Sequence, residues 1–303
     1  MLGPGLISRL VPWGFIFFAG TGWGLSFSLG KIVVEAGLAP VGITLFQAII
    51  STVLRYIVSL LRGRSLKSII TNIRFVIVVA LLATVIPGPI LYRAADHLQA
   101  GVLAITIAFI PMITYGISIP IGFEKFDWNR VAGLVMGVIA ILLISLPENS
   151  LPDRSAIPWI LFAMISVLCY TTENIILAVQ SAVTLGPIRL ALGMNAVAVI
   201  ILSPFVYWTD TFVWPSSSLT GIDLILIGLG VISVMAYTMF IHAVSRYGPV
   251  FASQTGYIVT LTGVLWGMVI FGESHSLWVW GALVAMMAGL ALVKPAKVKE
   301  VGS

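Results

Sequence analysis

Apolar residues along this chain neither alternate nor mark out a single helical face. They run on for about 20 positions at a time, the length a helix needs to cross the hydrocarbon of a bilayer. Ten such runs can be drawn, at 11–32, 41–61, 74–95, 98–119, 128–146, 157–181, 186–207, 221–244, 249–271 and 275–293. Polar and turn-forming residues separate them. Arg62-Gly63-Arg64, Glu124-Lys125, Pro147-Glu148-Asn149, Pro215 to Ser218 and Gly272-Glu273 are the clearest breaks, and those near 96, 183 and 247 are weaker. The pattern predicts an all-α membrane protein of ten transmembrane helices. The first run, Pro12 to Leu29, exceeds a signal-peptide core and no A-x-A-like site follows it, so it reads as a retained span.

Composition agrees. Of 303 residues, 59% are apolar and only 9% are charged, against about 25% charged in a soluble domain. The mean hydropathy is +1.11. So few charges could not cover a water-facing surface of this size, whereas lipid accepts apolar side chains on the outside. The net charge of +5 would suggest nucleic acid in a soluble chain. Here the cations fall in the gaps between runs, which points to membrane topology and to no nucleic-acid partner.

Lys and Arg favour cytoplasmic loops. With ten spans and the N-terminus inside, the cytoplasmic set is Arg9, Arg62, Arg64, Lys67, Arg74, Lys125, Arg130, Arg189, Arg246, Lys294, Lys297 and Lys299. The external set is Lys31, Arg93 and Arg154. Both termini are therefore expected in the cytoplasm, with the Lys294–Lys299 tail near anionic headgroups. Arg55 alone falls inside a run, about two turns from its cytoplasmic end; it reads as snorkelling to the headgroups, with a pocket role as the alternative. The single cysteine, Cys169, and the scattered His97, His242 and His275 offer no disulfide and no metal-ligand spacing, and no cofactor is expected.

Five spans in each half would give two units of opposite orientation, an inverted repeat with units at 1–150 and 151–303. At an offset of 149, residues 91–119 lie over 240–268, pairing Leu91 with Phe240, Ala94 with Ala243, Leu98 with Tyr247, Val102 with Phe251 and Thr106 with Thr255. Glu124 then falls on Glu273, each in a tight turn, and one residue away in offset Gly133 falls on Gly281. Pro12-Trp13 resembles Pro158-Trp159.

Several short elements carry a family resemblance. They are Trp23-Gly24-Leu25-Ser26-Phe27 with Lys31, Tyr92-Arg93-Ala94-Ala95, the stretch Gly101 to Pro111, Phe271-Gly272-Glu273, and Gly281 with Gly289. In order and spacing they resemble the drug/metabolite transporter superfamily, in its ten-span branch with two EamA-type repeats, nearest to the bacterial exporters of amino acids, including aromatic ones. The resemblance implies two inverted five-helix repeats around a central cavity open to one side at a time, in the bacterial inner membrane, and export from the cytoplasm. The chain departs from that pattern at Gln47, where many relatives carry an arginine, and in lacking a second Trp-Gly near Cys169-Tyr170.

Glu173 is the one acidic residue deep in a run. A charged carboxylate there costs several kcal/mol, so it faces protein or water, or holds a proton. It reads either as a solute-ammonium or proton site, or as a neutral acid bonded to a neighbouring helix. The other candidate substrate-binding residues are Trp23, Ser26, Tyr92, Gln99, Thr106, Tyr170, Asn174, Tyr237, Gln254, Tyr257 and Thr260. An amino acid needs partners for both charged ends and an apolar or aromatic wall, and this set can supply them. Gln254 and Tyr257, three residues apart on one helix face, lead it. Pro87, Pro89 and Pro111 interrupt their runs as hinges or fixed bends, and Gly133-x-x-x-Gly137 fits close helix packing.

The expected function is secondary transport of amino acids or similar metabolites by alternating access. No G-x-x-x-x-G-K-[ST] loop supports ATP-driven transport. Drugs, nucleotide sugars and lipid-linked solutes are the alternatives within transport, and phosphates would favour more cations in the spans. An enzyme would need convergent nucleophile, acid or metal groups, which these residues do not form. A membrane receptor or scaffold is the alternative of another class. The partners expected are a small solute and the bilayer; the sequence leaves the oligomeric state open.

Overall fold

The computed structural model describes residues 4–63, 65–107, 109–122, 126–145, 155, 157–179, 185–215, 219–274 and 276–292. The turn holding Glu124 and the Lys294–Lys299 tail lie outside these, as does His275. Fourteen α-helices follow in order: α1 Pro4–Glu35, α2 Pro40–Leu61, α3 Lys67–Thr71, α4 Ile73–Ala80, α5 Pro87–Ala95, α6 Ala100–Thr106, α7 Phe109–Ser118, α8 Trp128–Ser145, α9 Ile157–Val179, α10 Pro187–Thr209, α11 Gly221–Tyr247, α12 Pro249–Ser253, α13 Thr255–Phe271 and α14 Leu277–Leu292. Among the described residues no strand occurs.

Among the described residues, seven segments are long and apolar enough to cross a bilayer: Val11–Glu35, Pro40–Leu61, Ile73–Ala95, Ile157–Leu177, Pro187–Thr209, Gly221–Tyr247 and Val250–Phe271. They coincide with seven of the ten runs drawn from the sequence. The other three runs are also helical but shorter, as α8, as α14 and as the α6–α7 pair. Large apolar side chains point outward along the long helices, with Phe17 at 60% exposure, Ile200 at 71% and Val269 at 75%. Water would not hold that surface; lipid would. Tyr207, Trp208, Phe212 and Trp214 cluster, exposed, at one end of α10, as interfacial aromatics do.

Local chemistry sets the helix ends. Thr220 and Asp223 form a capping box at the start of α11, the Asp223 carboxylate accepting from the Thr220 amide at 2.8 Å. Gly272 ends α13 with φ of +65°, which its missing Cβ permits, and its amide returns to Met268 O. Pro87 lacks an amide proton, so the helix ahead of it loses a bond. The chain answers with a π-helical stretch at Leu81–Val85 before α5 resumes. α6 stops at Thr106, and α7 begins two residues before Pro111.

Packing between the halves follows a regular exchange. α1 lies along α11 and α13, while α9 lies along α5 and α7. α2 packs on α10, and α8 on α14. α2 also meets α11, and α10 meets α4. The contacts come in matched sets: α1 with α11 and α13 mirrors α9 with α5 and α7, and α2 with α11 mirrors α10 with α4. The α8–α14 contact is close: a Cβ on Gly289 would sit 2.7 Å from Gly133 O. Gly133 thus serves close packing, as its spacing suggested, and the residue it meets is Gly289.

Arg55 corrects an expectation. It is 1% exposed and does not reach the headgroups. Its Nη2 donates to Ser233 O and Val234 O of α11, each at 3.1 Å.

Candidate functional site

The long helices enclose a cavity of about 190 Å³ between the two halves of the chain. Irregular backbone gathers around it. Ala83, Thr84 and Gly88 line it from the π-helical stretch and the start of α5, and Ser253, Thr255 and Gly256 line it from the α12–α13 junction. Non-helical backbone at this depth is tolerated where it faces a cavity or protein.

The polar focus is on α9 and α11. Glu173 is 1% exposed, and its Oε1 accepts a hydrogen bond from the Tyr237 hydroxyl. Asn174 follows directly, with Oδ1 buried and without a partner. Glu173 is the one Asp, Glu, Lys, Arg or His side chain among the described lining residues. Opposite lie aromatic rings: Trp23 stands edge-on to Phe240 at 5.2 Å and to Tyr237 at 6.2 Å. Tyr92 reaches the side chain of Gln47 and closes over Gly30, where a Cβ would lie 2.7 Å from Tyr92 Cε1. Most hydroxyls nearby are already satisfied by backbone carbonyls three or four residues earlier, Ser26 by Gly22 O at 3.0 Å and Thr255 by Ala252 O at 2.6 Å. Chemically, the carboxyl of Glu173 can exchange its tyrosine donor for a solute ammonium or carry a proton, while the rings flank the apolar part of a solute.

Of the sequence candidates, the structure brings seven to this cavity: Trp23, Ser26, Tyr92, Tyr170, Glu173, Asn174 and Tyr237. Five do not line it. Gln99 is the N-cap residue of α6. Thr106 bonds Val102 O at 3.1 Å, and Thr260 bonds Ala104 O at 2.8 Å, pinning α13 to α6. Gln254 is wholly buried, its Nε2 on Val250 O at 3.1 Å. Tyr257 is 1% exposed, its hydroxyl lying where a Cβ on Gly137 of α8 would be 2.8 Å away. Gln254 and Tyr257 do share a face, but it is the one turned into protein. Ser253, Gly256 and Val259, each one residue earlier, face the cavity.

Sequence reading missed Thr44, Asn195, Ser233 and Ser253, and treated Gln47 only as a departure from the family pattern; all five line the cavity. Asn195 carried a signal, since an amide deep in an apolar run meets the test that selected Glu173. The hydroxyl residues carried none, because Ser and Thr are common in membrane helices as helix-to-helix glue.

A bundle of bilayer-length helices, apolar outside and enclosing a cavity with one carboxyl and an aromatic wall, has the architecture of a membrane carrier for small solutes. The chain belongs to the EamA-like transporter family, which matches it twice, over residues 13–146 and 157–294. It is 24% identical over 293 residues to the uncharacterized inner membrane transporter YedA of Escherichia coli K12, covering 94% of this chain and 91% of that one. The YedA proteins of strains O6:H1 and O157:H7 match to the same extent. A solved crystal structure shares the fold, with a TM-score of 0.70 at 16% identity over 94% of this chain and 96% of its own. The protein is thus a membrane-embedded transporter of the kind that moves small molecules.

Proposed function

We propose that the protein is a secondary carrier that exports amino acids or similar small metabolites across the bacterial inner membrane by alternating access. The observation that carries this reading is the Glu173–Tyr237 pair, with Asn174 beside it, in a cavity walled by Trp23, Phe27, Tyr170 and Phe240. A lone carboxyl complements one ammonium, and the rings complement an apolar or aromatic side chain. The lining carries no Lys or Arg among its described residues, which disfavours solutes rich in phosphate.

On this reading the chain forms ten spans as two inverted five-helix units at 1–150 and 151–303, with both termini cytoplasmic. The tandem family match and the exchange of helix contacts between halves support it. So does the break at Thr106, which recurs at the α12–α13 junction beside Thr255, its partner at the offset of 149. Alternating access would then exchange the conformations of the two units around the Glu173 site.

The test is flux of an amino-acid panel in liposomes holding only this protein, with and without a pH gradient. Uptake of aromatic or large apolar amino acids is expected. Glu173→Gln keeps the Tyr237 partner but removes the charge and the titratable proton. It is expected to abolish the dependence on pH and to cut uptake about tenfold or more. Absence of flux across the whole panel would refute the carrier reading, and an unchanged pH profile in Glu173→Gln would remove the role assigned to that carboxyl.

A further inference from the structure

Below the cavity, α2 carries a second polar feature. Thr44 and Ala48 line the cavity, and Ser51, Arg55 and Ser59 continue the same stripe of the helix at spacings of three and four. Ser51 is 0% exposed, Arg55 and Ser59 1%. Both hydroxyls lack a partner, as do Nε and Nη1 of Arg55. The guanidinium has five N–H groups. Only Nη2 is engaged, by two backbone carbonyls, so three N–H groups point at nothing that accepts them. Among the described residues no carboxylate forms an ion pair with Arg55; the pairs Lys31–Glu35 and Arg93–Asp96 lie elsewhere.

A buried cation with most of its donors idle is among the costliest arrangements a protein can hold, above all within a membrane. A guanidinium kept only to join α2 to α11 would be expected to use its donors. Its setting points to a ligand instead. Ser233, whose carbonyl it holds, lines the cavity; Tyr237, one turn further along α11, lines it too and bonds Glu173. Arg55 therefore lies behind the same stretch of α11 that presents the Glu173–Tyr237 pair, with Ser51 between it and the lining residue Ala48. One cation and one carboxyl, unpaired with each other, flank that stretch.

We infer that Arg55 is the carboxylate-receiving residue of the solute path, so that the solutes moved carry one carboxylate as well as an ammonium. The inference rests on the carrier reading above. The two carbonyls of α11 occupy the guanidinium in the closed seam, and separation of α2 from α11 exposes the idle N–H groups to the solute. A single guanidinium matches one carboxylate in charge and geometry.

The experiment uses the full chain in liposomes with phenylalanine and phenylalaninamide, which keeps the ring and the amine but lacks the carboxylate. Phenylalanine suits the aromatic wall. The wild-type protein is expected to favour phenylalanine by at least about tenfold in competition, because a donor set built for a carboxylate is left unpaired by the amide. Arg55→Gln should bring the ratio to within about twofold of unity while phenylalaninamide flux holds. Arg55→Lys, which keeps the charge and loses the fork, should fall between. A structural role for Arg55 would lower both fluxes together and leave their ratio, which overturns the inference. Equal use of the two solutes by the wild type overturns it without any variant, so the test survives if Arg55→Gln fails to fold. Chloride-dependent flux of phenylalaninamide that Arg55→Gln abolishes would give the site to an inorganic anion and overturn it too. In these outcomes the carrier reading stands; absence of flux of either compound, and of the whole panel, is the result that sinks both.

Discussion

Glu273 reaches from the second half of the chain to hold a helix of the first, and its removal should be felt in stability before function. It follows Gly272, the residue that ends α13, and its carboxylate oxygens accept from the Ala100 amide at 3.1 Å and the Gly101 amide at 3.4 Å. Those amides open α6, whose own N-cap residue, Gln99, makes no side-chain capping bond. Glu273 is thus an N-cap supplied from 173 residues away in sequence. Loss of an N-cap side chain costs about 1 kcal/mol. Two partly buried amides without acceptors raise the cost of Glu273→Ala to about 2–3 kcal/mol. For a chain of this size that is a fall in apparent melting temperature of roughly 4–10 °C. Glu273→Gln keeps one carbonyl oxygen and should lose about half as much. The assay is thermal unfolding of purified protein in detergent, read by size-exclusion chromatography after heating and compared at one heating rate, since such unfolding is a rate as much as an equilibrium. Melting temperatures for both variants within about 1 °C of wild type would show that water or another group satisfies those amides, and would refute the capping argument.

Two further outcomes follow from the same geometry. Gly30→Leu places a side chain where a Cβ alone would stand 2.7 Å from Tyr92 Cε1, so this cavity-lining ring must shift; solute flux should drop about tenfold or more, with about 1–3 kcal/mol lost in stability, and flux at the wild-type rate would count against the cavity as the solute path. The proposed topology sets Ser65, between α2 and α3, in the cytoplasm, and Thr209, at the end of α10, outside; both are exposed and the native Cys169 is buried. A membrane-impermeant maleimide should label Thr209→Cys in intact cells and Ser65→Cys only after permeabilisation, and the reverse pattern would invert the proposed orientation.

The sequence made depth legible and rotation not. A run of apolar residues announces a span because lipid tolerates little else, and the seven bilayer-length helices fall where those runs do. Glu173 was singled out by the same logic, since a charged carboxylate is costly against lipid; it lines the cavity with Asn174 and Tyr237, chosen as mid-depth polar and aromatic residues. Helix rotation has no such signal. In a soluble helix the polar face reveals the buried one by contrast; in α13 hydroxyls are scattered over the faces toward protein and cavity, so neither stands out. Gln254, Tyr257 and Thr260 were chosen as the cavity face for their chemistry, and that chemistry serves packing: Thr260 ties α13 to α6, and Tyr257 fills the space beside Gly137. The true face, Ser253, Gly256 and Val259, is one residue away, about 100° around the helix. Small residues leave room for a solute, and room has no side chain by which a sequence can advertise it.

Arg55 shows the same limit with more at stake. Its distance from the end of α2 suits a side chain that snorkels to the headgroups, and depth alone supports that reading. The stripe to which it belongs does not: Thr44, Ala48, Ser51 and Ser59 share its face, and a helix face with hydroxyls at that spacing has little reason to meet lipid. Read as a stripe, α2 runs from cavity lining into buried, unsatisfied donors, and the helix it meets, α11, also supplies Ser233 and Tyr237 to the cavity. α11 therefore contacts Glu173 through a phenol and Arg55 through two carbonyls. A movement of α11 away from both α2 and α9 would release the two contacts together. Under the proposed alternating access, a solute that engages both groups would be sensed at the α2–α11 contact, and the selectivity of Arg55→Gln tests the recognition half of that proposal.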